Sequence, residues 1–147
     1  MSHTTAITAV VISDVNALQA AINELASEGV KCSLLENCKP RAYSSGQEGM
    51  GTAPYVVKLN DATYDVGLYD NGDGGFEART DFWNGSVEKV LGVETNVNEE
   101  REQARLGKLF QRYAVCATEN HAALNGYSTT RSQKEDGTLQ LVMTQAA

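Results

Sequence analysis

Residues 6–12 (AITAVVI) form an unbroken apolar run rich in β-branched side chains, and the chain then switches at once to a helical period. The run reads as a buried strand. Ser13 or Asp14 caps the helix that follows. Val15, Leu18, Ile22 and Leu25 recur at a spacing that places them on one helical face. Gly29 stands where a left-handed residue ends such a helix. This strand–helix unit is the clearest element in the sequence and frames the rest.

Downstream the signals shorten. Residues 32–36 and 41–43 are strand candidates, and residues 44–54 (SSGQEGMGTAP) read as a glycine-rich loop. Residues 55–59 and 64–69 look like a hairpin turning near Asn60-Asp61. Residues 70–75 (DNGDGG) carry the strongest turn signal of the chain, which makes residues 76–83 the third strand of a meander. Ser86 is expected to cap a short helix through Leu91. A second helix start is expected at residues 94–102, with Asn98 as cap and Glu99, Glu100 and Glu102 near the positive end of the dipole. Leu106, Leu109, Phe110, Tyr113, Cys116 or Ala117, and Leu124 continue at helical spacing to Gly126. Residues 127–133 and 138–144 close the chain as strands joined by Lys134-Glu135-Asp136-Gly137.

Strands and helices in separate runs predict a single α+β domain over residues 1–147, an antiparallel sheet with helices packed on one face. A ferredoxin-like split β-α-β arrangement is the specific expectation. The 147 residues suffice for a core without disulfides or metals. The net charge of -7 argues against nucleic acid and against anionic membranes as partners, and no apolar run reaches the roughly 20 residues of a membrane-spanning helix. The start Met1-Ser2-His3-Thr4-Thr5 has neither a basic region nor an apolar stretch and does not read as a secretory signal. Three cysteines, an odd number, fit a reduced, cytoplasmic setting.

No residue pattern carries an obvious chemistry. Gly46-Gln47-Glu48-Gly49-Met50-Gly51 lacks the Gly-Lys-Ser/Thr ending of a phosphate loop, and Glu48 would repel phosphate. Residues 70–77 put glycines where a calcium loop needs oxygen ligands. Cys32 and Cys38 are too far apart for a redox or zinc pair, and Cys116 is expected on the buried face of the long helix. His3 and His121 are the only histidines. An enzyme would need Cys32, Cys38 or His121 to converge in a cleft; no catalytic residue, cofactor or metal ligand is assigned.

The start Met1-Ser2-His3, Asp14-x-x-x-Leu18-x-x-Ala21-Ile22, the block Phe110-Gln111-Arg112-Tyr113-Ala114, and the end from Gly126-Tyr127 through Glu135-Asp136-Gly137-Thr138-Leu139-Gln140-Leu141-Val142 together resemble the hypothetical chloroplast reading frame thirty-five family. This is a domain of unknown function with plastid, cyanobacterial, other bacterial and bacteriophage relatives. The chain departs from that pattern in longer segments at 44–54 and 92–105 and in Thr4, where an aromatic is usual. The resemblance implies a small accessory protein with no catalytic residues to transfer. It would sit in a stroma-like compartment if plastid-type. If phage-encoded, it would sit in the host cytoplasm and act on a host protein or in the particle.

The leading expectation is therefore a non-catalytic protein-interaction module. Trp83, Arg112 and Tyr113 are its candidate binding patch, since such residues dominate interface hot spots. Glu99, Glu100 and Glu102 offer a docking surface for a basic protein partner, and a homodimer through an edge strand is the further partner expectation. The alternative is a small-molecule or cofactor-binding domain with the 44–54 loop as lid.

Overall fold

The structure is a computed structural model and describes residues 4–42, 51–81, 85–92, 105–133, 135 and 139–145. The expected strand–helix unit is present as β1 (Thr4–Ile12) and α1 (Val15–Ser27). Of the two cap candidates Asp14 is used: its Oδ1 accepts from the Ala17 N–H at 3.0 Å, satisfying one of the helix's orphan donors. At the other end Gly29 turns the chain away with φ +98, a conformation that favours glycine.

Four strands follow: β2 (Cys32–Cys38), β3 (Ala53–Leu59), β4 (Val66–Asp70) and β5 (Phe76–Asp81). They pair consecutively as an antiparallel meander, and β1 adds to the free edge of β5, giving the order β1-β5-β4-β3-β2. The α+β class with an antiparallel sheet is as the sequence predicts. The ferredoxin-like arrangement is not the order seen, because three strands rather than one lie between β1 and β2. Sequential strands from β2 to β5 stay adjacent, so the meander fills the middle and α1 must cross the whole sheet from one edge to the other. Residues 41–42 are not strand: Pro40 precedes them, and the Arg41 backbone N–H is given to a side chain. β3 also starts inside the segment expected to be loop, of which residues 43–50 lie outside the described residues.

Two further helices, α2 (Ser86–Leu91) and α3 (Gly107–Leu124), lead to a separate two-stranded sheet of β6 (Tyr127–Gln133) and β7 (Leu139–Gln145). The cap position of α2 is Gly85 rather than Ser86, whose hydroxyl accepts from the Thr63 N–H instead. The expected acidic helix start at 94–102 lies outside the described residues.

Side chains alternate across a strand, and this divides the sheet into two faces. Val57, Leu59, Val66, Leu68 and Ala78 meet Leu18, Ala21, Ile22 and Leu25 of α1 and Leu109, Phe110 and Tyr113 of α3 in the main core. Tyr55 and Phe76 add an edge-to-face pair with centroids 5.3 Å apart. The opposite face carries a small second cluster of Ala42, Ala53, Val56 and Tyr69. Gly67 belongs there by necessity: a Cβ would fall 2.7 Å from the Tyr69 ring and 3.1 Å from Pro40. Among the described residues no helix is long and apolar enough to cross a membrane.

Candidate functional site

The short β6–β7 hairpin could not hold itself up. Two strands alone are marginal in water, and this pair shares no ladder with the main sheet. A chain of ion pairs fastens it instead. Arg131, in the middle of β6, donates Nη1 to Glu24 Oε1 at 2.6 Å and Nη2 to Glu24 Oε2 at 2.9 Å. It also donates Nε to Glu119 Oε2 at 2.8 Å and Nη2 to Glu119 Oε1 at 2.6 Å. One planar guanidinium thus bridges α1, α3 and β6 through two bidentate forks, the strongest geometry available to such a pair. Arg112 on α3 extends the chain to Glu24 Oε1 at 3.3 Å and to the Glu28 carboxylate, with Nη2 on Oε1 at 2.9 Å.

The hydrogen bonds from Arg131 hold the Glu24 carboxyl at about 2, against the effect of its partial burial. Its hydrogen bonds to the two carboxylates push the Arg131 guanidinium up in turn, the one to Glu119 contributing most. The Cys116 thiol lies in the same network and donates to Glu24 Oε2 at 3.3 Å. Burial, and then the neighbouring carboxylate, push it up to about 11. It stays a thiol at neutral pH and serves as a hydrogen-bond donor within the network.

The sequence-predicted residues are placed as follows. Arg112 faces the α1 carboxylates. Tyr113 is buried, and its hydroxyl accepts the Ser13 and Asp14 backbone N–H groups at 2.9 and 3.0 Å, across a hundred residues of chain. Though adjacent, the two side chains serve different contacts. Trp83, Glu99, Glu100, Glu102 and His3 lie outside the described residues. Cys32 donates to the Ile22 carbonyl, Cys38 packs on the far face of the sheet, and His121 is exposed on α3, so Cys32, Cys38 and His121 do not converge. In the 70–75 turn, Asp70 Oδ1 accepts from Gly72 N–H at 2.7 Å and Asn71 Oδ1 from Asp73 N–H at 2.8 Å, with Gly72 and Gly74 at φ +86 and +83. These side chains are spent on their own turn. Among the described residues no group of three or more His, Cys, Asp or Glu could hold a metal ion.

What the fastened hairpin presents is apolar and open. Leu124, the last residue of α3, is 86% exposed; Tyr127, Val142 and Met143 are 41%, 51% and 55% exposed. The pairs Tyr127–Gln145 and Thr129–Met143 set Tyr127 and Met143 on one face and Val142 on the other. Sequence reading missed Glu24, Glu119 and Arg131. The available signals were the four-residue spacing of Glu24 on α1 and Glu28 at its C-cap and the helical spacing of Arg112, Cys116 and Glu119 on α3. Comparison of the chain with family models, with curated proteins and with solved structures finds no match.

Proposed function

We propose that this protein is a non-catalytic interaction module whose docking surface is the β6–β7 hairpin together with the end of α3. One observation carries the reading: large apolar side chains are left in water on a two-stranded sheet that ion pairs with Glu24 and Glu119 tie to the helices. A preorganised surface loses little entropy on binding, and both faces of this hairpin offer apolar side chains to a partner, Tyr127 and Met143 on one and Val142 on the other. Two of the blocks that carry the resemblance to the chloroplast reading frame family, residues 110–114 and 126–142, fall on this same α3–hairpin unit, while Met1-Ser2-His3 and residues 14–22 do not. This supports reading the unit as what relatives would share, and the accessory role as its use.

The test is an affinity capture from the lysate of the source cell with the wild type, a Val142→Lys/Met143→Lys variant, and Lys31→Ala, an exposed change elsewhere, as control. A stoichiometric protein retained by wild type and control and lost by the double variant supports the module. Equal capture by all three removes the hairpin from the reading.

A second reading, small-molecule binding on the far face of the sheet, has one observation behind it. The Tyr69 hydroxyl is buried with no hydrogen-bond partner among the described residues, and the Arg79 guanidinium lies 4.7 Å over its ring. A ligand there would raise the melting temperature, and a Tyr69→Phe variant would lose that response.

A further inference from the structure

We infer that the hairpin docks on a second copy of this chain, β7 against β7 in antiparallel pairing about a twofold axis at Val142. The inference rests on the hairpin being the docking surface and names its occupant. Four strands lie at sheet edges, and edge strands are normally guarded by charge, proline or a bulge. β1 has a register break between Ile7 and Ile12. β2 carries Glu36 and has Asn37 at φ +50. β6 carries Arg131 and is the strand against which α3 chiefly packs. β7, LQLVMTQ, has no charge, no proline and no glycine, and pairs with β6 through seven successive residues without a bulge. Among the described residues it is the one edge of the four with none of these guards.

The sequence of β7 then selects a register. Two identical antiparallel strands related by a twofold at Val142 set Val142 against its own copy. Leu141 faces the second copy's Met143, and Gln140 faces its Thr144. Three apolar cross-strand pairs result, flanked by polar pairs. Shifting the axis to Leu141 keeps three apolar pairs, Leu141 with itself and Leu139 with Met143 twice, but sets Val142 against Gln140 and pairs five residues of the strand, where the Val142 axis pairs all seven; shifting it to Met143 sets Val142 against Thr144 and leaves a single apolar pair. Apolar pairs directly opposite one another are the unit of sheet stabilisation. The joined hairpins form four strands, above the number an independent sheet needs. No like charges face each other across the seam, because β7 has none.

Light scattering coupled to size exclusion on the full chain is expected to give twice the chain mass, and Val142→Lys, which places two ammonium groups on the axis, is expected to give a single chain with unchanged circular dichroism. Under mild oxidation Val142→Cys is expected to form a disulfide-linked dimer. Gln140→Cys, whose two copies would be about 13 Å apart along the strands at roughly 3.3 Å per residue, is beyond disulfide reach and gives no dimer above the wild type with its own three cysteines. If Val142→Lys fails to fold, the cysteine pair decides alone. A wild type that stays monomeric up to millimolar concentration overturns the inference, as does a dimer that Val142→Cys fails to cross-link. A monomer that still loses a captured protein in the Val142→Lys/Met143→Lys variant overturns self-pairing while leaving the docking surface standing.

Discussion

Replacing Asp65 with alanine tests how the middle of the main sheet is closed. Asp65 is only 4% exposed and precedes β4. The Asn60 N–H donates to the Lys31 carbonyl, so by the alternation of an antiparallel ladder the backbone groups of Leu59 point toward β4. The β3–β4 ladder runs only as far as the Val57–Val66 pair. Beyond it side chains take over: Asp65 Oδ1 accepts the Leu59 N–H at 3.2 Å, and Arg41 Nη2 donates to the Leu59 carbonyl at 2.6 Å. Asp65 Oδ2 also accepts the Arg41 backbone N–H at 2.8 Å, and Arg41 Nε and Nη2 close a fork on the carboxylate. Alanine leaves the fully buried Leu59 N–H without this acceptor, at a cost of about 1–3 kcal/mol. The Arg41 side chain, 44% exposed, returns to water and adds less than about 1 kcal/mol. The expected total is about 2–4 kcal/mol. Asp65→Asn keeps an acceptor for Leu59 and is expected to cost about half as much. Urea unfolding followed by circular dichroism reads both as a fall in midpoint with unchanged slope. An Asp65→Ala midpoint within about 0.5 kcal/mol of wild type, the range of ordinary surface changes, would refute the claim that this carboxylate completes the ladder.

Three other outcomes follow from the same contacts. Glu24 sits at about 2 against an ordinary 4.5, so its ion pairs contribute stability that is complete above about pH 4.5 and is lost as pH falls toward 2. At about 1.36 kcal/mol per tenfold the ceiling is roughly 3 kcal/mol, which solvent screening of a carboxylate about one-third exposed lowers to about 1–2 kcal/mol. Glu24→Gln should therefore flatten the acid limb of a stability–pH curve. Tyr113→Phe removes the acceptor for two backbone N–H groups at the start of α1 and is expected to cost about 1–2 kcal/mol by thermal or urea unfolding, with the fold retained. Cys116, pushed up to about 11, should react with a thiol reagent at neutral pH only upon unfolding; labelling of the native protein at Cys116, mapped by mass spectrometry, would contradict its place in the ion-pair network.

Much of the local structure was legible in the residues. Val15, Leu18, Ile22 and Leu25 with Asp14 and Gly29 define α1 because helical spacing, a cap and a left-handed stop are all written within sixteen consecutive positions. The DNGDGG turn and the last two strands are short-range signals of the same kind. The antiparallel character of the sheet follows, since strands joined by such turns can only reverse. What the tertiary structure decided is everything that depends on residues far apart in sequence. That β1 closes onto β5, and so lies three strands from β2, turns on which ladder edge is left free once the meander has formed. That Tyr113 finds Ser13 and Asp14, and that Arg131 finds Glu24 across 107 positions, depends on how α1 and α3 cross the sheet. The charges could be counted from the sequence, but charge pairs act over a few ångströms, and only the packed helices bring these within that reach. For the same reason the hairpin strands were readable as strands, while their isolation from the main sheet, and with it the open edge of β7, emerged only from the fold.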